Sequence, residues 1–253
     1  MLATRVIPTL LLRSTGLVKG KKYKNHRYVG DPINAVKIFN EKEVDEIIFL
    51  DISATPNMSE PNYELIEDIA SQAFMPFAYG GGIYNVEQIQ RVFSLGVEKV
   101  IINTAATKDL NLIAEASALA GSQSIVACID LKKNIFGKYK VMSNCGRKKT
   151  NLDPVSYAED LVRHGVGEIM VCSVDSEGSR QGYDLSAVKL ISDAVDVPVI
   201  ASGGAGKLSH FKEAKQAGAS AVAAGSMFVF HGKHEAVLIT YPEYEMLTQL
   251  FKG

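Results

Sequence analysis

One segment of the chain, Pro76-Phe77-Ala78-Tyr79-Gly80-Gly81-Gly82, occurs again in altered form as Pro198-Val199-Ile200-Ala201-Ser202-Gly203-Gly204. In both copies a short apolar run ends in a glycine-rich turn, and a helical pattern follows. The similarity extends to Asn103-Thr104 and Gly225-Ser226, where the next apolar run ends in a small or hydroxyl-bearing residue. Each copy is therefore predicted to form a β-α-β unit within a repeated half-chain.

The repeated turns have the chemistry of phosphate-binding loops. Glycines allow backbone N–H groups to approach an anion closely, and a nearby hydroxyl and the N-terminus of the following helix add further donors. Two such units predict two phosphate sites on one face, so the expected ligand is a small molecule with a phosphate at each end. The predicted phosphate-binding residues are Gly81, Gly82, Asn103, Thr104, Gly203, Gly204, Gly225 and Ser226.

Apolar runs and helical patterns alternate along the whole chain. The apolar runs are rich in Val, Ile and Ala without strict alternation, which is typical of parallel strands covered by helices. Eight alternations with a mid-chain repeat predict an α/β fold: a single (β/α)8 TIM barrel domain over residues 1–253 with an internal half-barrel repeat. A doubly wound open sheet is the alternative, but it leaves the position of the repeat unexplained. The predicted strands lie near residues 5–12, 46–52, 76–79, 98–103, 124–130, 168–174, 197–201 and 220–224, and the predicted helices near 32–43, 61–73, 85–94, 109–120, 153–164, 185–194, 208–217 and 235–250.

Composition supports this reading and excludes some classes of function. A chain of 253 residues with 47% hydrophobic content has the usual size of one such barrel. The formal net charge of −1 and the scattered basic residues argue against a nucleic-acid partner. No apolar run is long enough to cross a membrane and the N-terminus lacks a signal-peptide pattern, so a cytoplasmic protein is expected.

The cysteines and one cluster of lysines are interpreted conservatively. Cys128, Cys145 and Cys172 are odd in number and their spacing matches no zinc motif, so reduced thiols are expected, with no metal and no cofactor. The lysines within residues 19–24 form a basic patch, which taken alone is interpreted as a solvated loop.

Asp130 is the strongest candidate for a general acid or base. It follows the apolar run at residues 125–129, and the carboxyl ends of barrel strands are where catalytic groups are found. A carboxylate in such a place is costly unless the site uses it. The alternative is a carboxylate that caps a loop by accepting backbone N–H bonds.

A second set of charges stands where strands begin: Arg5, Glu46, Lys99 and Glu168. In a barrel these side chains converge on the axis at the N-terminal end. Such a ring of opposite charges is interpreted either as a stabilising device, the usual role of this end, or as a gate.

The segments that carry a family resemblance are 1–8, 18–20, 30–32, 49–52, 80–83, 103–106, 182–184 and 201–206. They resemble HisF, the cyclase subunit of imidazole glycerol phosphate synthase. The resemblance implies a barrel whose partner, a class I (HisH-like) glutaminase, docks on the N-terminal face. Ammonia would pass the gate of Arg5, Glu46, Lys99 and Glu168 and reach a bisphosphate ribonucleotide at the opposite face, with Lys19 on the mobile loop over the substrate.

The chain departs from this family at three places. The cyclases use a pair of aspartates at the ends of strands one and five, but alignment of residues 6–12 with residues 125–131 places Leu11 opposite Asp130. Glu177-Gly178-Ser179 replaces the family's Asp-Gly-Thr turn. The tail at residues 234–242 resembles that of HisF-like proteins associated with amidation of bacterial surface sugars.

Two functions follow, and Leu11 discriminates between them. In the first, the protein receives ammonia from the glutaminase and supplies it, with a sugar amidotransferase, for amidation of a sugar nucleotide in lipopolysaccharide or another surface glycan. In the second, it is a true cyclase and lyase of histidine biosynthesis, and another group does the work of the missing aspartate. The first is preferred, because a leucine can neither donate nor accept a proton. A phosphate-binding barrel without a glutaminase partner is a third reading.

Overall fold

The predicted (β/α)8 TIM barrel is confirmed by the computed structural model, which describes residues 4–252. Parallel strands pair in chain order around a closed circle, and the last strand returns to pair with the first. The barrel strands are β1 (Arg5–Arg13), β2 (Ile47–Asp51), β3 (Phe77–Gly80), β4 (Lys99–Ile102), β5 (Ile125–Lys133), β6 (Glu168–Ser173), β7 (Val199–Ser202) and β8 (Ala221–Ala224).

Helices connect the strands and cover the outside of the barrel. Several begin where the sequence supplies a capping side chain: Asp31 accepts the N–H of Asn34, and Asp153 accepts those of Val155 and Ser156. The main helices are α1 (Pro32–Glu41), α2 (Tyr63–Gln72), α3 (Val86–Ser94), α4 (Asn111–Ala120), α5 (Pro154–Arg163), α6 (Leu185–Ser192), α7 (Leu208–Gln216) and α8 (Tyr244–Phe251); shorter helical turns lie at Ala54–Asn57, Ser122–Ser124 and Ser226–Val229.

The inside of the barrel is layered, because alternate residues of each strand point inward. Along β1 the inward positions are Arg5 at the start, then Ile7, then Thr9 and Leu11 near the carboxyl end. The middle layer is apolar and fully enclosed. Its members are Ile7, Ile48, Ala78, Ile101, Val126, Met170, Ile200, Ala221 and Ala223, with Cys128 and Cys172 packed against them.

Two antiparallel hairpins at the carboxyl ends of the strands were not predicted. The first, Gly16–Lys21 paired with Lys24–Gly30, extends β1 over the mouth of the barrel. In the second, Tyr139–Ser143 pairs with the end of β5 and with the short strand Lys148–Lys149. Both segments are rich in polar residues, and their pairing depends on partners that a local pattern does not reveal.

The predicted helix over residues 235–250 is wrong in its first half. Phe230–His231 pairs with Ala236–Val237 across a turn at Gly232, whose φ of +70° suits glycine. Helix α8 begins only at Tyr244, after Pro242, because proline cannot donate the backbone hydrogen bond of a helix interior. Within residues 4–252 no helix has the length and apolar character that a bilayer crossing requires.

Replacement of Phe228 tests whether packing of its ring stabilises the short helical turn Ser226–Val229. Phe228 is 1% exposed, and its ring lies 6.1 Å from the ring of Phe211 and 5.3 Å from that of Tyr241. Phe228→Ala should lower the free energy of unfolding by about 3–5 kcal/mol through lost burial and a cavity, measured by urea denaturation. Phe136→Ala is the control, because Phe136 is 81% exposed and its loss should change stability by about 0.5 kcal/mol at most. Equal effects of the two variants would contradict the packing described for Phe228.

Candidate functional site

A cavity of about 500 Å³ opens at the carboxyl ends of the barrel strands. The residues that the sequence proposed for phosphate binding all line it, together with Asp130, Lys19 and Leu11. They come from loops after β3, β4, β7 and β8: Gly81, Gly82, Asn103, Thr104, Gly203, Gly204, Gly225 and Ser226. A single ligand in this cavity therefore has access to both glycine loops.

The loop after β8 has a free hydroxyl and a close cation. The Ser226 Oγ atom is buried and has no hydrogen-bond partner within residues 4–252. A Cβ atom on Gly225 would lie 2.0 Å from the Lys19 Nζ atom, so only glycine lets this ammonium group approach the loop. A buried hydroxyl without a partner is costly unless a ligand satisfies it.

The loop after β4 is arranged differently. The Thr104 hydroxyl already accepts a hydrogen bond from the backbone N–H of Asn144 at 2.8 Å and donates to the Asn103 Oδ1 atom at 3.2 Å. Asn144 and Cys145 lie in the turn of the second hairpin, with φ values of +53° and +54°. The turn of the second hairpin therefore covers this loop, whereas Ser226 faces the cavity without a partner.

Lys19 is buried, which contradicts its interpretation as part of a solvated patch. It is 2% exposed on the first hairpin, and its ammonium group donates to the Thr9 carbonyl at 2.5 Å. Burial lowers the pKa of Lys19 to about 8, although the Glu177 carboxylate acts in the opposite direction. The neighbouring Lys21, Lys22 and Lys24 are exposed, so the interpretation holds for them.

Asp130 lies on the floor of the cavity and is 4% exposed. Its Oδ1 atom accepts a hydrogen bond from the Tyr23 hydroxyl at 2.8 Å. Burial raises the pKa of Asp130 to about 6, against the effect of the Tyr23 hydrogen bond. A carboxyl group with a pKa near neutrality is suited to general acid or base chemistry.

Leu11 lines the same cavity as Asp130, at the carboxyl end of β1. The aligned positions therefore face a common space, as the sequence comparison predicts, and only one of them can transfer a proton. The cavity combines the Asp130 carboxyl group, the buried Lys19 amine and two glycine loops.

Two residues of the cavity were missed by sequence reasoning. Tyr23 belongs to the turn of the first hairpin, with a φ of +60°, and brings its hydroxyl to Asp130 from across the mouth. Glu177 lies beside Gly203, where a Cβ atom would be 3.1 Å from its Oε2 atom. Burial raises the pKa of Glu177, and the charge of Lys19 opposes this rise. The sequence signal for Glu177 was the departure from the family turn at residues 177–179. Tyr23 gave no such signal, because it lies within the basic patch at residues 19–24, which was interpreted as a solvated loop.

Three other acidic residues near the strand ends have structural partners. The Asp51 Oδ1 atom accepts the backbone N–H groups of Ser53 and Ala54. Asp175 accepts the N–H of Lys133, and Asp184 caps α6 and accepts from the Tyr139 hydroxyl at 2.6 Å. These residues stabilise loops around the cavity.

The four charged residues at the strand beginnings meet at the opposite end of the barrel. Arg5 forms ion pairs with both Glu46 and Glu168, and Lys99 Nζ lies 3.2 Å from Glu46 and 3.1 Å from Glu168. The two glutamates are 4% exposed, so each needs both cations. The four charges form a closed ring, here called the quartet, which the apolar layer separates from the cavity.

Comparison with known proteins identifies relatives of nearly full length. The family model described as "Histidine biosynthesis protein" matches residues 5–235. The chain is 52% identical to a Pseudomonas aeruginosa protein named "Putative imidazole glycerol phosphate synthase subunit hisF2", over 98% of this chain and 99% of the relative. It is 45% identical to a Leptospira interrogans protein named "Putative imidazole glycerol phosphate synthase subunit HisF", over 99% of this chain and 100% of the relative. It is 42% identical to the "Imidazole glycerol phosphate synthase subunit HisF" of Petrotoga mobilis, over 90% and 91%.

The lowered pKa of Lys19 predicts a pH dependence of anion binding. Below about pH 8 the side chain is an ammonium ion that attracts phosphate; above it the charge is lost, while the phosphate groups are ionised throughout. The affinity for a bisphosphate probe, such as fructose 1,6-bisphosphate, should therefore fall by up to about 10-fold between pH 7 and pH 9, the limit for the titration of one group with this pKa, measured by calorimetry.

Two variants give this measurement its controls. Lys19→Met should bind the probe weakly at both pH values, so that the pH dependence disappears. Lys22→Met removes an exposed lysine of the same hairpin and should keep the dependence. A pH profile unchanged in Lys19→Met would show that another group controls binding.

Proposed function

Because this chain belongs to the histidine biosynthesis protein family, we propose that it is a HisF-like barrel subunit that receives ammonia from a class I glutaminase. In this proposal the glutaminase docks at the N-terminal end of the barrel, and ammonia travels along the barrel axis to the cavity. The ammonia is then used, with a sugar amidotransferase, to amidate a sugar nucleotide for a surface glycan such as lipopolysaccharide.

The quartet supports the place of entry. Its four charges close the N-terminal end of the barrel around the axis, and Arg5 and Lys99 keep 31% and 22% of their side-chain surfaces exposed. A ring that is partly open to solvent can rearrange at lower cost than a fully buried one, because water stabilises the charges while they separate. A docked partner would contact this ring and could open it.

The apolar layer supports selective passage. Ile7, Ile48, Ile101 and Met170 lie between the quartet and the cavity, and each is at most 3% exposed. An ion loses its hydration in such surroundings at a cost of many kcal/mol, whereas neutral ammonia does not carry that penalty. The layer would therefore admit ammonia and exclude ammonium.

The contrast between Leu11 and Asp130 carries the proposal on the fate of ammonia. Ring formation in the cyclases relies on two aspartates, and this cavity has a carboxyl group at one of the two positions only. Loss of one general acid or base typically costs about 10²–10⁴-fold in rate. Delivery of ammonia needs no second proton-transfer group, so this function is compatible with the residues present.

The second candidate is the cyclase and lyase reaction of histidine biosynthesis. It is favoured by the retention of Asp130, Lys19 and both glycine loops in one cavity. In this reading Tyr23 or Glu177, which also line the cavity, would have to replace the missing aspartate.

The ammonia route is tested with a class I glutaminase subunit of the HisH type. Glutamine hydrolysis should rise when the barrel is added, and the two proteins should co-elute in gel filtration. Lys99→Met breaks two ion pairs of the quartet and should change the rate of ammonia delivery by about 10-fold, on the scale of one charged interaction. Lys108→Met removes an exposed lysine outside the quartet and should match the unmodified protein. Equal hydrolysis with and without the barrel, and no complex, would remove the proposal.

The Leu11 position is tested with ammonium and the bisphosphate ribonucleotide of the histidine pathway. The unmodified protein should cyclise this substrate at least about 10²-fold more slowly than a cyclase with both aspartates. Leu11→Asp should recover part of the activity, because the other cavity residues already position the substrate. Leu11→Asn is the matched control, of similar size to aspartate but unable to exchange a proton.

One outcome would reverse the preference between the two functions. If the unmodified protein cyclises at an ordinary enzymatic rate of about 1 s⁻¹ or faster, the histidine-pathway reading replaces glycan amidation.

A further inference from the structure

Two cysteines meet inside the barrel at the floor of the cavity. Cys128 lies on β5 and Cys172 on the adjacent strand β6, and the parallel register sets Cys172 beside Asp130. All three residues point inward, since they occupy alternate inward positions of their strands. Neighbouring strands therefore bring two thiols and one carboxyl group into a single cluster.

The distances within the cluster suit metal coordination. The two Sγ atoms are 3.5 Å apart, and the Cys128 Sγ atom is 3.8 Å from the Asp130 Oδ1 atom. All three ligand atoms lie within 4.8 Å of one another. Two thiolates bound to a tetrahedral zinc ion at about 2.3 Å stand ~3.8 Å apart, and a thiolate and a carboxylate oxygen about 3.5 Å. The Sγ–Sγ distance and the distance from Cys128 Sγ to Asp130 Oδ1 match these spacings to within a few tenths of an ångström.

The cluster borders the cavity, which leaves space for a bound cation, and no positively charged side chain of residues 4–252 is hydrogen-bonded to Asp130. Cys128 and Cys172 are 6% exposed and Asp130 is 4% exposed, so the cluster is shielded, yet all three residues line the cavity on one side. The hydrogen bonds that Asp130 accepts from side chains of residues 4–252 come from Tyr23, Asn103 and Cys128, and none of these donors carries a positive charge. Lys19, the buried amine of the cavity described above, donates its hydrogen bond to the Thr9 carbonyl. A buried carboxylate in such a place is usually paired with a charge or coordinates a metal.

We propose that Cys128, Cys172 and Asp130 bind one soft divalent cation of the Zn²⁺ type. Both thiols release their protons to solvent, and two sulfur–metal bonds and one oxygen–metal bond form without any change of oxidation state. Three protein ligands leave a fourth position on the cavity side, the arrangement typical of zinc sites that accept water or a substrate. The Tyr23 hydroxyl, 2.8 Å from Asp130, borders that position.

This site was not visible in the sequence, where no metal was expected. Zinc motifs are recognised by short spacings such as C-x₂-C. Here the ligands come from two strands that are neighbours only in the folded barrel. A carboxylate bound to a metal is not available as a general acid or base, so the proposal rests on the ammonia-delivery function, in which Asp130 has no proton to transfer.

Zinc binding to the reduced, full-length protein is measured by competition with a chromophoric chelator. One equivalent of Zn²⁺ should bind. Changes in residues that merely support metal ligands usually cost 10–100-fold in metal affinity, so Cys128→Ser or Cys172→Ser should weaken binding by more than about 100-fold. Cys145→Ser is the matched control: Cys145 lines the same cavity but contacts the Ile52 carbonyl at 3.7 Å and is not part of the cluster.

A second measurement uses the unmodified protein and so does not depend on the folding of variants. Bound Zn²⁺ should protect Cys128 and Cys172 from alkylation, identified by peptide mass spectrometry, and leave Cys145 reactive. Co²⁺ should give the near-ultraviolet absorption of a thiolate–cobalt bond. The proposal is overturned if no stoichiometric Zn²⁺ binds, if Cys172→Ser binds as well as Cys145→Ser, or if the reduced protein takes up no metal and its thiols only form a disulfide in air.

Discussion

The narrow interior of a closed parallel barrel is the constraint on which the other features depend. Each strand contributes every second side chain to the same confined space, so residues at equal heights on different strands become neighbours. This explains why Arg5, Glu46, Lys99 and Glu168, far apart in sequence, share one ring, and why Cys128 touches Cys172. A substitution at any inward position therefore changes the packing of side chains on several strands at once.

Burial within this space also sets the chemistry of the cavity. Lys19 and Asp130 have pKa values of about 8 and 6, both displaced toward neutrality by loss of water. The displacement brings both pKa values close to ordinary pH, so each group is mostly charged but has an accessible neutral fraction, which is the condition for easy proton exchange. The same enclosure makes the apolar layer intolerant of ions, so the middle of the barrel interior excludes charge while the quartet and the cavity on either side of it hold charged groups.

The barrel and the composition of its mouth could be predicted because they follow from local patterns. Apolar runs between helical patterns marked every barrel strand, and Asp130, Leu11 and the glycine loops were placed at strand ends by the same rule. The first hairpin could not be predicted, because its polar strands pair with each other and with the extension of β1. For that reason Tyr23 was missed and Lys19 was interpreted as solvated. Glu177 needed the fold as well, since only the folded loop sets it beside Gly203.

The hydroxyl groups of the loops after β4 and β8 differ in their hydrogen bonding, and this makes the two ends of the cavity unequal. The Thr104 hydroxyl already accepts a hydrogen bond from the backbone of Asn144, while the Ser226 hydroxyl has no partner among residues 4–252 and the preceding Gly225 lies against the Lys19 ammonium group. A molecule with two anionic ends would find an available hydroxyl and a nearby ammonium group at the loop after β8. At the loop after β4 it would find a hydroxyl that already has a hydrogen bond. One end would bind at Ser226 first. The other end would bind at Thr104 only after the Asn144 N–H group has moved away from the Thr104 hydroxyl. The protein would therefore impose this order of binding even on a ligand whose two ends are identical.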